Sequence, residues 1–147
     1  MLMREAFKNP KVRVVSVKLS ANPLLTKDPL EVVLHLEVFN PNSYALNVSR
    51  AVYSVAIGKQ ELARGEKNEQ LSLKPSQETI VTLPVTLNPG VFTAALYEVI
   101  ETRAVPYEFN GSLDVDAPLV GIVKVPFSKT GVFDPLDFIR RKRIPFN

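Results

Sequence analysis

The sequence predicts an all-β protein: an antiparallel β-sandwich of about seven strands, with one short helix between the fifth and sixth strands. Three observations carry this. Apolar and polar residues alternate along most of the chain, the period of a strand half-buried in a sheet. Turn residues recur at roughly 8–12 residue intervals, the spacing of a sandwich. Only one segment changes to a helical period, and it opens on Asn88-Pro89.

The elements follow in order. In the first strand Val15, Val17 and Leu19 alternate with Ser16, Lys18 and Ser20. In the second, Leu30, Val32, Leu34, Leu36 and Val38 form one face, with Glu31, His35 and Glu37 on the other. In the third, Ala51, Tyr53, Val55 and Ile57 share a face. A turn at Gly58-Lys59-Gln60 leads to a short strand around Glu61 to Arg64. The fifth strand points Val81, Leu83, Val85 and Leu87 inward, and its Pro84, which cannot donate to a ladder, marks it as an edge. The helix takes Asn88 as N-cap and Pro89 at its first position, because the first-turn N–H groups lack helical partners and Pro has none to lose. Phe92, Leu96, Val99 and Ile100 give it one apolar face, and Pro106 stops it. The sixth strand turns Tyr107, Phe109, Leu113 and Val115 inward, and the seventh Val123, Val125 and Phe127.

At 147 residues, 46% of them hydrophobic and 22% charged, the chain has the length and apolar content for one packed domain. We place that domain at 10–133, with tails at 1–9 and 134–147. Cys is absent, so disulfides and thiolate metal sites are excluded, and the single His35 leaves imidazole-based metal sites and Ser/His/Asp triads without material. The net charge is +3, but Arg140, Arg141, Lys142 and Arg143 supply it. Without these four, 14 basic residues face 15 acidic ones. That pattern speaks against nucleic acid as a partner, since a nucleic-acid domain spreads basic residues over a face. No run reaches the roughly 18 apolar residues that span a bilayer.

Several residues carry chemistry on paper. His35, on the polar face of its strand, has no paired nucleophile and reads as a half-exposed strand residue. Asp114 and Asp116 share a face, yet calcium loops need more oxygen ligands. Lys129-Thr130-Gly131 matches one element of the serine acyl-transferases, but no Ser-x-x-Lys accompanies it. Gly58-Lys59 lacks the remaining residues of a phosphate-binding loop. Asn47-Val48-Ser49 fits a glycosylation sequon, which matters only in a secreted eukaryotic chain. The run Arg140 to Arg143 reads first as a solvated tail and second as a contact for anionic lipid, at ~1 kcal/mol per charge. Asn40-Pro41-Asn42 ends one strand and turns the chain. Pro41 fixes φ, and Asn side chains bond backbone two residues on. It reads as a corner before it reads as a site.

Four motifs together carry a resemblance. They are "LHLEVFNPN" ending in Asn40-Pro41-Asn42, the strand of Tyr53, Val55, Ile57 and Gly58, "LARG" ending in Gly65, and the terminal "VKVPFSKTG". The last contains Pro126, Phe127, Ser128, Lys129 and Gly131. Over roughly Pro10 to Val132 the chain resembles the water-stress-and-hypersensitive-response domain of the group-2 late embryogenesis abundant proteins. The basic tail is outside that pattern. The resemblance implies an immunoglobulin- or fibronectin-III-like sandwich and a role in tolerance of desiccation, cold and osmotic stress. It implies no enzymatic activity and no cofactor, and a mainly structural use of the motif residues. The expected mechanism is weak contact, through strand edges or the outer face, with partially unfolded client proteins or membrane surfaces. The rival is a binding module for an apolar or lipid ligand between sheet and helix near Phe92 and Leu96, docked on membranes through the basic tail. We expect a monomer in the cytoplasm, because the start "MLMREAFKNP" holds no apolar signal-peptide run. The alternative is an exported or lipid-anchored protein.

Overall fold

The computed structural model describes residues 6–99 and 103–137. Eight strands and one helix follow one another: β1 (Lys11–Leu19), β2 (Leu30–Phe39), β3 (Leu46–Ile57), β4 (Gln60–Lys67), β5 (Leu71–Leu73), β6 (Glu78–Leu87), α1 (Pro89–Val99), β7 (Val105–Ala117) and β8 (Gly121–Phe133). All pairings are antiparallel. One sheet has the order β1-β2-β6 and the other β4-β3-β7-β8, with β5 beside the first residues of β3. The sheets stack with β4 near β6 and β1 near β8. The described strands number eight rather than about seven, because β5 was not foreseen. The helix therefore falls between the sixth and seventh strands.

Alternation builds the core. Leu30, Val32, Leu34, Leu36 and Val38 of β2 are all buried, as are Ala51, Tyr53, Val55 and Ile57 of β3 and Val81, Leu83, Val85 and Leu87 of β6. Each such aliphatic side chain, fully buried, favours the fold by about 1.5–3 kcal/mol before entropy is counted. Pro84 does lie on an edge strand. The face of β1 differs from the expected one. A bulge between Val14 and Ser16 leaves Val15 unpaired. Val12 and Val14 pack on the core before the bulge, Val17 and Leu19 after it. One extra residue inverts the parity of everything upstream.

The helix starts as its residues dictate. Asn88 Oδ1 accepts from the Gly90 N–H at 2.8 Å, and Phe92 N–H bonds Asn88 O at 3.2 Å. Phe92, Ala95 and Leu96 are buried, closing one end of the sandwich. The side chain of Val99, together with Ile100, lies outside the described residues. Pro106 is not the stop: Arg103 and Ala104 already lie beyond the helix, and Pro106 is the second residue of β7.

Candidate functional site

Asn40 and Asn42 are 0% and 1% exposed, and they are the buried polar residues among the described ones. Burying an amide is unfavourable unless its donors and acceptors are met. Here the chain's own backbone meets them. Asn40 Nδ2 donates to Tyr44 O (2.9 Å), Leu73 O (3.1 Å) and Lys74 O (3.3 Å). Its Oδ1 accepts from the Asn42 N–H at 2.9 Å and from Asn42 Nδ2 at 3.0 Å. Asn42 then pairs with Lys8: Lys8 N–H donates to Oδ1 at 2.9 Å and Nδ2 donates to Lys8 O at 2.8 Å. Asn40 N–H to Gln77 O and Ser76 N–H to Asn42 O close the knot. Three chain segments meet where both sheets end and no ladder can satisfy them. Asn suits this because one side chain both donates and accepts. With half-buried Pro41 between them, the two amides have little capacity left for a ligand. The N-terminal segment takes part too, with Lys8 bonded and Phe7 packed on the core.

The other motif residues make two close approaches. Gly65 stands opposite Tyr53 across β3 and β4, and a Cβ on Gly65 would lie 2.4 Å from that ring. Gly131 stands opposite Tyr107 in the same relation, with the phenol oxygen 2.6 Å from such a Cβ. Tyr53, so seated, donates its hydroxyl to Pro84 O of the other sheet at 2.5 Å, and burial pushes its phenol pKa up. Phe127 is buried, Ser128 stands exposed on the outer face, and Lys129 is half-buried opposite Phe109.

Strand edges are blunted at all four sides. A bulge and Lys11, Arg13 and Lys18 interrupt β1. Another bulge, leaving Leu62 unpaired, and Glu61, Arg64 and Glu66 interrupt β4. Pro84 removes a donor from β6, whose Thr82 and Pro84 carbonyls are capped by Lys67 Nζ at 2.9 Å and by Tyr53. Pro126 removes a donor from β8. Such devices oppose strand addition by another chain.

Several concavities mark the surface of the described residues, among them a polar and an apolar one. On the outer face of β3, β7 and β8 an open trough of about 760 Å³ is lined by Ser54, Arg64, Asn110, Ser112, Ser128 and Thr130. Ser54 Oγ donates to Asn110 Oδ1 at 3.0 Å, and Asn110 Nδ2 donates to Glu108. At the helix end, a cavity of about 260 Å³ is lined by Leu24, Leu96, Tyr97, Arg103, Pro135 and Leu136. The Arg103–Asp134 ion pair, 2.7 Å long, forms part of its wall. His35 sits half-buried between Ser16 of β1 and Thr82 of β6, its Nδ1 enclosed without a hydrogen-bond partner. Asp114 pairs with Lys124 at 3.4 Å. The tail residues Arg140, Arg141, Lys142 and Arg143 lie outside the described residues. Among the described residues no helix is long and apolar enough to cross a membrane.

These features define a two-sheet antiparallel β-domain whose polar groups gather in one buried turn and on one open face. The comparisons give it a family. The family model of the late embryogenesis abundant proteins matches residues 35–131, and the chain belongs to that family. It is 24% identical over 107 residues to the desiccation protectant protein Lea14 homolog of Glycine max, covering 73% of this chain and 70% of that one. It is 24% identical over 124 residues to late embryogenesis abundant protein Lea14-A of Gossypium hirsutum, covering 84% and 80%. The fold is that of an Arabidopsis thaliana protein solved in solution (TM-score 0.72, 23% identity, 88% of this chain and 83% of that one). A crystal structure of an Archaeoglobus fulgidus protein is also similar (TM-score 0.62, 15% identity, 88% and 97%).

Proposed function

We propose that this protein is a non-enzymatic protectant against desiccation, cold and osmotic stress. It acts by weak contacts with partially unfolded client proteins or with membrane surfaces. The observation that carries this reading is its likeness, over most of its length, to two plant relatives, one named a desiccation protectant and the other a late embryogenesis abundant protein. The motif set supports placement in the water-stress-and-hypersensitive-response group, and the stacked antiparallel sheets support the immunoglobulin- or fibronectin-III-like type. Blunted edges favour contact through faces and turns over strand addition. The protein works as a cytoplasmic monomer without a cofactor. Drying a labile enzyme with and without the chain tests this. Activity retained above that given by an equal mass of an unrelated globular protein is the expected result. Equal loss in both would refute the protective role.

A second reading has an observation of its own. The cavity beside Leu96 is mostly apolar and about 260 Å³ in volume, near the size range of small-ligand pockets. In this reading the domain binds an apolar chain between the helix and the Pro135–Leu136 segment. A fluorescent fatty acid should then bind, and Leu96→Trp, by filling the space, should displace it. No saturable binding to the wild-type chain removes this reading.

A further inference from the structure

The turn between β7 and β8 inverts the usual chemistry of a hairpin tip. Ala117 pairs with Gly121, so Pro118, Leu119 and Val120 form the loop. Hairpin turns that need φ above zero draw Gly, Asn or Asp, because other L side chains meet the backbone there. Here Leu119 takes φ +67° and Gly121 φ +96°. The Leu119 side chain is 78% exposed, Val120 55% and Ile122 65%. None of the three contributes to the core. The other large apolar side chains exposed beyond half are scattered: Leu25 between β1 and β2, Ile80 on β6, Tyr97 on α1 and Val132 at the far end of β8. The tip also stands clear of its neighbours. The outermost β7 partner of β3 is Asp116, and β8 is an edge strand.

We propose that this tip is a wedge for lipid bilayers: Leu119, Val120 and Ile122 enter the interfacial layer of a membrane. The proposal rests on the protective reading and deepens it by naming one partner and the surface that meets it. Size and shape select the bilayer. A stable protein interface buries about 800 Å² on each side with roughly 20–30 residues, and a turn with three apolar side chains falls far short of a dimer. The tip is convex, so it offers no groove to an extended peptide. A bilayer interface needs neither area nor matching relief, and accepts apolar side chains to about 5–10 Å. Charge at this end is mixed: exposed Lys8 and Lys74 are held there through the Asn42 and Asn40 amides, Lys124 is paired with Asp114, and the exposed acid Glu78 stands opposite Phe39. Asp116, half-buried across from Asn47, is the nearest acid to the tip on β7. Insertion of a few side chains is marginal alone, so cationic residues behind it supply the second attraction.

The test uses the full chain and phosphatidylcholine vesicles with and without phosphatidylglycerol. The wild-type chain should co-sediment with the anionic vesicles. Leu119→Asn combined with Ile122→Ser should weaken that binding roughly tenfold or more, while the fold is retained by circular dichroism. Leu25→Ser combined with Val132→Ser, away from the tip, should leave it unchanged. The indole of a Leu119→Trp variant should shift its emission to the blue on binding. Equal binding by the tip variant, an unshifted indole in the bound protein, or no vesicle binding by the wild-type chain at low salt would each overturn the wedge. So would a change in sedimenting mass without vesicles, which would make the tip a self-association surface. The drying assay on a soluble enzyme separates the two readings. Protection retained by a tip variant that has lost vesicles supports the wedge, whereas vesicle binding without any protection refutes the protective reading and leaves the wedge standing.

Discussion

Two turns at the same end of the sandwich break the usual partition of polar and apolar residues in opposite directions. At 40–42 polar side chains are buried; at 118–120 apolar side chains are exposed. The first inversion is compensated inside the molecule. Each Asn amide meets backbone from Lys8, Tyr44, Leu73 or Lys74, so desolvation is offset by hydrogen bonds. The second has no internal compensation: nothing in the described residues covers Leu119, and its backbone is held where an L side chain is disfavoured. A compensated inversion builds the fold. An uncompensated one points outward.

The sharpest way to break this contrast is Asn40→Ala. Several buried groups would lose partners at once, each at about 1–3 kcal/mol. The loss of stability should be about 3 kcal/mol or more, comparable with ~2–5 kcal/mol for Leu36→Ala in the core. Urea unfolding measures both. A loss near zero for Asn40→Ala would mean that water replaces the amide and the turn is not a knot. Leu119→Asn should act with the opposite sign. Asn tolerates the left-handed region, so stability should rise, by about 1 kcal/mol at most. A fall in the melting temperature would show that Leu119 serves the fold after all.

The sequence displays these two turns unequally. Asn40-Pro41-Asn42 announces a corner because Pro and Asn have strong local preferences. Its partner Lys8, 34 residues away, has no local signal. The long faces of β2, of β6 and of β3 from Ala51 onward were legible because each alternates without interruption, whereas a bulge between Val48 and Arg50 puts Leu46 and Val48 out of phase with the rest of β3. The strand β5 was not, since three residues are too few to show a period. Val15 was assigned to the wrong face because a bulge leaves no mark in hydropathy. Pro106 reads as a helix stop from its chemistry, but a second residue of a strand suits Pro as well. The cavity beside Leu96 joins residues from 24 to 136 and exists only in three dimensions. The glycines opposite Tyr53 and Tyr107 were visible as motif letters, while their reason, room for a ring across the ladder, was not.

Tyr53 is a third, milder polar inversion. Its hydroxyl reaches across to Pro84 O, and burial raises its pKa. Tyr53→Phe should cost about 1 kcal/mol at neutral pH. The sign of the pH effect is fixed by the direction of the shift. A phenol whose folded pKa lies above the unfolded one contributes stability that is complete below the unfolded value and lost as pH rises through the folded value. The wild type should therefore lose stability as pH rises above about 10, the ordinary phenol value. Part of that loss should vanish in Tyr53→Phe. Superimposable alkaline limbs for the two proteins would show that Tyr53 does not titrate on unfolding.

The smallest effect belongs to an exposed polar group near the same end. Glu78, the first residue of β6, is fully exposed, and its carboxyl pKa is raised by the hydrogen bond its protonated form donates to the Glu37 carboxylate and by that neighbour's charge. Glu37 in turn faces Arg13, whose guanidinium lies 3.2 Å from both of its oxygens. A raised carboxyl pKa means that the folded state holds the proton more tightly than the unfolded chain. Its contribution is therefore complete below the ordinary carboxyl value and is lost as pH rises through the raised one. At neutral pH the two carboxylates repel, with Arg13 offsetting part of the repulsion. Glu78→Gln removes that repulsion and leaves the Arg13–Glu37 pair. It should raise the melting temperature slightly at pH 7 and not at about pH 4, where the carboxyls already share a proton. Salt should shrink the gain, because exposed charges are screened. Melting curves of both proteins at the two pH values decide it. An equal gain at low pH would assign the effect to something other than charge, and would leave Glu78 outside the contrast between compensated and uncompensated groups.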